Sequence, residues 1–210
     1  MQSPLFIDIS SDFVYLSCQG QELFLPRNGI ENQLGIDLVQ RHKNLSFTQV
    51  QVLNGPGGFT NLRVGTLCLN LLNALTDNSL DFYTVSKPDL YQFAYDNGDI
   101  PRYGVIYIGQ KSNIRLRDFQ EKIKIGQMSF EQLQNEIIVK KIFKNELFLD
   151  ITTEREYYPD FLSDCLILNY TDIKTRMDKY LEQFNQQATK QLSANYMIDP
   201  TITPSKKCSI

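Results

Sequence analysis

Residues 54–75 read NGPGGFTNLRVGTLCLNLLNAL, a glycine-rich turn that opens straight into a long apolar run. No other stretch limits the fold as much. The residues before it, Gln49-Val50-Gln51-Val52-Leu53, alternate polar and apolar and fit a half-buried strand. Within the turn, Asn54-Gly55-Pro56-Gly57-Gly58, the glycines reach backbone conformations closed to other residues and Pro56 fixes its own φ. Thr60 is a suitable N-cap for the helix that follows. Strand, glycine turn and helix N-terminus describe either an anion-binding loop or a tight structural corner.

The helix expected over 60–76 has two apolar stripes when wound at about 100° per residue. One comprises Val64, Leu67, Cys68, Leu71 and Leu75. The other comprises Leu62, Gly65, Leu69, Leu72 and Thr76, spaced alternately by three and four as in helices packed side by side. Gly65 would let another backbone come close. A helix lying on a sheet needs one apolar stripe, so the second needs another partner. That partner is a neighbouring helix of the same domain or a helix of another protein. A helix over 30–42, with Ile30, Leu34 and Leu38 at four-residue spacing, allows both. The two helices would pair and dock on a similar pair through Leu34, Leu38, Leu62, Gly65, Leu69 and Leu72.

Around this centre the chain reads as an α/β protein. Leu5–Ile9, Phe13–Cys18 and Glu22–Leu25 form an expected antiparallel meander, and Leu80–Val85 a further strand. Ser86 caps a short helix with Pro88 in its first turn. Asp96-Asn97-Gly98-Asp99 is the strongest boundary signal, dividing the chain into 1–98 and a smaller, diverged 99–210. In the second part Tyr103–Ile108 and Asn113–Leu116 suggest a hairpin. Ser129 suits a helix cap, Ile137–Phe143 fits helix or strand, and Thr171-Asp172 opens a helix carrying Ile173, Met177 and Tyr180. The tail from Tyr196 is expected to be extended. No internal sequence repeat is evident. Three meander strands, helix, strand, helix, strand fit a mixed sheet of the ribonuclease-H-like, actin-like type with flanking helices, in two lobes.

Composition excludes several classes. With 42% hydrophobic and 21% charged residues, the 210-residue chain is an ordinary globular protein. A net charge of −3 gives no electrostatic drive toward nucleic acid. No apolar run approaches the roughly 20 residues of a membrane span, and Met1-Gln2-Ser3-Pro4 lacks a signal-peptide pattern, so a cytoplasmic protein is expected. Cys18, Cys68, Cys165 and Cys208 form no CxxC pair and are expected to be reduced. Cys208 stands third from the end, where a prenylation motif needs the fourth. His42 is the single histidine, so an HExxH zinc pair is ruled out. It lies in the polar stretch 40–44, where a surface helix end is expected. The glycine turn lacks the lysine and hydroxyl of a Walker loop.

The run Gly55-Pro56-Gly57-Gly58-Phe59-Thr60-Asn61-Leu62-Arg63-Val64-Gly65 resembles the GPGSFTGLRIG signature of the TsaB family, which supports bacterial synthesis of threonylcarbamoyladenosine in tRNA. Phe6-Ile7-Asp8-Ile9-Ser10 is similar to that family's opening AIDTS strand, and Tyr83-Thr84-Val85-Ser86 to its GVSTL segment. Tyr196-Met197, Pro200 and Lys206-Lys207 are similar to its closing PxYLR region. The match is strong over 5–86 and weaker but collinear beyond. Gly58 and Asn61 replace the motif's serine and second glycine, and Ile30-Glu31-Asn32 stands where a histidine is frequent. The second-lobe strand Gly104-Val105-Ile106-Tyr107-Ile108-Gly109 lacks the usual aspartate.

The resemblance implies an actin-like fold and a scaffold role without catalysis. It implies pairing through the first two helices with TsaD, which transfers the threonylcarbamoyl group, and a further partner in the ATPase TsaE. ATP and metal would then belong to a partner or an interface, and tRNA would be reached indirectly. Asp8 and the turn residues Gly55, Pro56, Gly57, Gly58, Phe59, Thr60 and Arg63 would be the nucleotide-proximal set. Asp8 has a simpler role as a hydrogen-bonding residue that orders the Ser10-Ser11 turn. Arg63 could meet a partner carboxylate or phosphate, or lie in an internal ion pair or in solvent. The alternatives are an actin-like ATPase or phosphotransferase using Asp8, a metallopeptidase, which a lone histidine opposes, and a homodimer joined by the same stripe.

Overall fold

The computed structural model describes residues 3–110, 113–150 and 158–196. The first half runs β1 (Leu5–Asp8), β2 (Phe13–Cys18), β3 (Gln21–Pro26), α1 (Ile30–Leu45), β4 (Gln49–Leu53), α2 (Phe59–Leu75), β5 (Asp81–Val85) and α3 (Lys87–Asp96). Its strands form one sheet in the order β3-β2-β1-β4-β5. The meander pairs antiparallel, and β4 and β5 run parallel to β1. The two helical crossovers between parallel strands place α1 and α2 together on one face of this sheet, and α3 and α5 cover the other.

The second half runs β6 (Tyr103–Gln110), β7 (Asn113–Asp118), β8 (Ile123–Met128), α4 (Phe130–Lys140), β9 (Leu147–Leu149), β10 (Leu166–Ile167) and α5 (Tyr170–Phe184). Its sheet has the order β10-β9-β6-β7-β8. Again the first three strands are antiparallel, and the next two are parallel to the first. The two halves therefore share one topology, although the sequence shows no repeat. They differ between the fourth and fifth strands. The first half places α2 there; among the described residues the second half has only a single 3-10 turn, Asp160–Leu162.

The layers stack as α1/α2, first sheet, α3/α5, second sheet, α4. One core lies between the first sheet and α1/α2 and includes Ile7, Val50, Val52, Leu34, Leu38 and Leu69. A second joins the halves: Phe6 and Leu53 of the first sheet, Leu90 and Tyr91 of α3, Ile173 and Met177 of α5, and Ile106 and Phe148 of the second sheet. A third lies beneath α4, around Val105, Leu116 and Leu133. After α5 the chain returns to the first half, where Thr189 bridges Phe82 at the edge of β5.

Several expectations shift. The first helix runs to Leu45, so His42 sits within its last turns, half-buried, with its ring 5.0 Å from that of Phe47. The N-cap of α2 is Gly58 rather than Thr60, because Gly58 is the last extended residue, at φ −60° and ψ 123°. Likewise Asn169 caps α5 by accepting from the Asp172 amide, so that helix starts earlier than Thr171. Ile137 lies inside α4, which a capping box of Ser129 and Gln132 begins. Residues 119–150 contain β8, α4 and β9. Cys18, Cys68 and Cys165 are free thiols; Cys208 and the tail beyond Tyr196 lie outside the described residues.

Candidate functional site

The sequence motifs converge where the two sheets face each other. Asp8 ends β1 fully buried, and its two carboxylate oxygens accept four hydrogens. Oδ1 accepts from the Ser10 amide at 2.7 Å and the Ser10 hydroxyl at 2.6 Å. Oδ2 accepts from the Ser11 hydroxyl at 2.7 Å and from Tyr170 of α5 at 2.8 Å. The aspartate thus orders the turn after β1 and ties it to the last helix. Buried carboxylates need such donors, since each unmade bond costs about 1–3 kcal/mol.

The glycine turn packs onto this turn. A Cβ at Gly57 would stand 1.8 Å from the Ser10 carbonyl oxygen, so only glycine fits there. Gly55 has φ +72°, and its Cβ would lie 1.9 Å from the Asn195 carbonyl oxygen. The Gly55–Pro56 bond is cis. Asn54 bonds both Ser193 and Asn195 of the returning C-terminal segment. Asn61, in the place of a motif glycine, donates to the Ser11 carbonyl at 2.6 Å and pins the first turn of α2. The turn is therefore packed on two sides by backbone, as a structural corner is. Thr60 and Arg63 lie on the first turns of α2, half-buried and exposed. Phe59 is largely exposed and stacks on Tyr196 at 4.9 Å.

Facing Asp8 from the second half is Asp150, which follows β9 and is also fully buried. Lys87, at the start of α3, reaches between the halves. Its Nζ lies 3.0 Å from Asp150 Oδ2, 3.2 Å from Ser11 Oγ and 3.5 Å from the Ser10 carbonyl, with neither charged side chain exposed. Asp150 also accepts from the Tyr91 hydroxyl and, at 3.1 Å, from the Tyr107 amide. The Tyr107 hydroxyl donates to Asp12, and Tyr158 donates to the Asp150 carbonyl at 2.6 Å. Burial pushes the Asp150 carboxyl above the ordinary carboxylate range, and the Lys87 ammonium opposes this. Burial raises the Tyr91 and Tyr170 phenols far above their usual value, with Asp150 and Asp8 respectively adding to it. The space between the halves is filled by a tethered cation and by tyrosines.

Sequence reasoning missed Lys87, Tyr91, Tyr107, Asp150 and Tyr170. A signal existed for Asp150. It is an acid directly after a short apolar strand, Leu147-Phe148-Leu149, just as Asp8 closes Leu5-Phe6-Ile7. Lys87 carried none, being one lysine beside a helix cap.

The residues assigned to docking are corrected by the structure. Leu34, Leu38, Leu62 and Leu69 are fully buried and Leu72 nearly so, inside the core beneath α1 and α2. A Cβ at Gly65 would stand 2.5 Å from the Ile9 side chain, so that glycine admits the sheet rather than a partner helix. The polar Asn73 on this face is also buried, donating to the Lys190 carbonyl and accepting from the Leu80 amide. The other stripe points outward: Leu67, Leu71 and Leu75 of α2 are 55%, 53% and 75% exposed, and Ile36 of α1 is 60% exposed. Val64 and Cys68 of that stripe are half-buried. Among the described residues, no group of three or more His, Cys, Asp or Glu side chains could hold a metal ion. No described helix is long and apolar enough to cross a membrane.

Two sheets of one ribonuclease-H-like topology, with helices between and outside them, define a two-lobed α/β protein of the actin-like class. A solved structure shares this fold. A Pseudomonas aeruginosa protein described as uncharacterized, with similarity to the peptidase YeaZ, aligns over 94% of this chain and 100% of its own, with 13% identity and a TM-score of 0.53. YeaZ from Pseudomonas aeruginosa aligns over 90% of this chain and 96% of its own, with 14% identity and a TM-score of 0.48. At 13% identity the likeness to the first is one of fold alone. No protein-family model matches the sequence, and neither does any curated protein.

Proposed function

We propose that this chain is a divergent TsaB-like subunit that does not catalyse and that pairs with a TsaD-like protein in threonylcarbamoyladenosine formation. YeaZ is another name for TsaB, so the shared fold and the GPGGFT motif support one reading from separate directions. The observation that carries it is the apolar stripe Ile36, Leu67, Leu71 and Leu75 on the outer face of α1 and α2. The resemblance assigns partner docking to these two helices. A contiguous exposed apolar face is a recognised mark of an interaction surface. A TsaE-like ATPase would join the pair, with ATP and any metal held by the partners and tRNA reached through the complex.

The arrangement of the interior supports a scaffold over a phosphotransferase. Both Asp8 oxygens are committed to the protein's own donors, and Lys87 stands between Asp8's turn and Asp150. The test is co-purification with the TsaD-like protein of the same organism, comparing the wild type with Leu71→Glu. A stable complex lost on substitution supports the reading. A second copy bound through the same stripe would appear as a dimer in a solution mass measurement without the partner.

A further inference from the structure

Strand β7 carries two arginines on one face. Ile114 and Leu116 enter the core beneath α4, so Arg115 and Arg117 turn toward α3. As residues i and i+2 of a strand, they have Cα atoms about 7 Å apart. Both side chains are half-buried. The surrounding chain is basic: residues 102–128 hold six lysines and arginines against two acids, in a protein of net charge −3. Those two acids, Asp118 and Glu121, pair with Arg102 at 2.7 Å and 3.7 Å. The strand register sets no acid beside the other two arginines. Arg115 stands opposite Ile106 and Gln127, and Arg117 opposite Gly104 and Lys124. Among the described residues, no carboxylate lies within ion-pair distance of either.

Each guanidinium retains a buried donor, Arg115 Nη1 and Arg117 Nε, that meets no acceptor among the described residues. Arginine does not shed its proton to escape this cost. Burial pulls both groups below their ordinary pKa; at Arg117 the Asp89 carboxylate opposes this and Arg115 adds to it. Asp89 is itself engaged, its Oδ2 accepting from the Ser86 hydroxyl at 2.5 Å. Arg117 is held in position. Its Nη2 donates to Gln92 Oε1 at 3.4 Å, and its guanidinium carbon lies 5.4 Å from the centre of the Phe119 ring. Gln92 is fixed in turn by donating to the Phe119 carbonyl at 3.1 Å and to Asp96 at 3.0 Å. Two neighbouring cations with donors to spare suit a dianion that offers several acceptor oxygens. A carboxylate would balance one charge, whereas a phosphate dianion balances both.

We infer that Arg115 and Arg117 together bind a dianionic phosphate group. The site lies on the second sheet, so it does not depend on pairing through α1 and α2. The test is titration calorimetry of the full chain at constant ionic strength and a pH of about 8, where a phosphate monoester is a dianion. Inorganic phosphate, AMP and dimethyl phosphate are the probes. Phosphate or AMP is expected to bind at least about tenfold tighter than the monoanionic diester. Whichever of the two binds tighter shows whether the group is taken free or as a monoester. Arg115→Gln and Arg117→Gln should each weaken that binding by at least about tenfold. Phosphate should also raise the melting temperature of the wild type more than that of Arg115→Gln. Arg115→Gln is the deciding variant, because removing that charge breaks no ion pair among the described residues. No binding up to about 10 mM phosphate or AMP would overturn the inference. So would equal binding of the diester, or undiminished affinity in Arg115→Gln.

Discussion

Lys87 and Asp150 show at the level of single residues how the two halves are held. A buried ion pair is costly to break from one side, because the remaining charge has neither water nor partner. Lys87→Met is therefore expected to lower unfolding free energy by about 3–5 kcal/mol, read from urea denaturation. Lys87→Met with Asp150→Asn should be clearly less destabilised than the sum of the single changes, since no orphan charge remains. Tyr15, Tyr91 and Tyr170 contribute to the alkaline limit. Their pKa values are raised in the fold, so folding favours the protonated phenols. That stability is complete below the ordinary phenol value of about 10. It is lost as pH rises through the folded values, about 12 for Tyr15. Melting temperature is expected to fall above pH of about 10, and less steeply in Tyr170→Phe. The role of Asp8 in ordering its turn was legible from the sequence, because an acid before two serines is a local pattern. Its bond to Tyr170 was not, because 162 positions separate the two residues.

Among the elements, α2 separates what periodicity shows from what it leaves open. Hydrophobic spacing identified both stripes but not which one faces the sheet. Polar residues are no guide here, because Asn61, Thr66 and Asn73 are all buried on the sheet side. Asn61 and Asn73 find backbone partners in segments far along the chain, which no local pattern displays. The corrected orientation gives opposite outcomes for neighbouring substitutions. Leu69→Glu should unfold the protein, with a cost on the order of 5 kcal/mol for burying a charge. Leu71→Glu should change stability by no more than about 0.5 kcal/mol. Thermal denaturation of the two variants distinguishes them directly. At the start of the same helix, Gly58 has φ −60°, and an added Cβ would meet nothing nearer than 3.6 Å. Gly58→Ser, which introduces the serine of the motif this turn resembles, should stabilise by a few tenths to about 1 kcal/mol through reduced chain entropy and a new cap. Gly57→Ala, whose Cβ would meet the Ser10 backbone, should strongly destabilise.

For the molecule as a whole, the first sheet could be read in advance, because each of its strands is bounded by turn residues or a capped helix. Of the second sheet, only the β6–β7 hairpin could. Its fourth and fifth strands are three and two residues long, too short for alternation to register. The repeat of topology is a property of backbone pairing, which unrelated side-chain patterns can satisfy equally well. What results is a molecule whose fully buried carboxylates, Asp8 and Asp150, are held by its own donors and whose helices α1 and α2 leave apolar side chains in solvent. That combination is what the proposed scaffold role requires. The most direct test is size-exclusion chromatography with mass measurement of the full chain mixed with the TsaD-like protein of its organism. The wild type should co-elute as a heterodimer, and folded Leu71→Glu should elute alone. Separate elution of the wild type, or co-elution of Leu71→Glu at undiminished affinity, would contradict docking through α1 and α2.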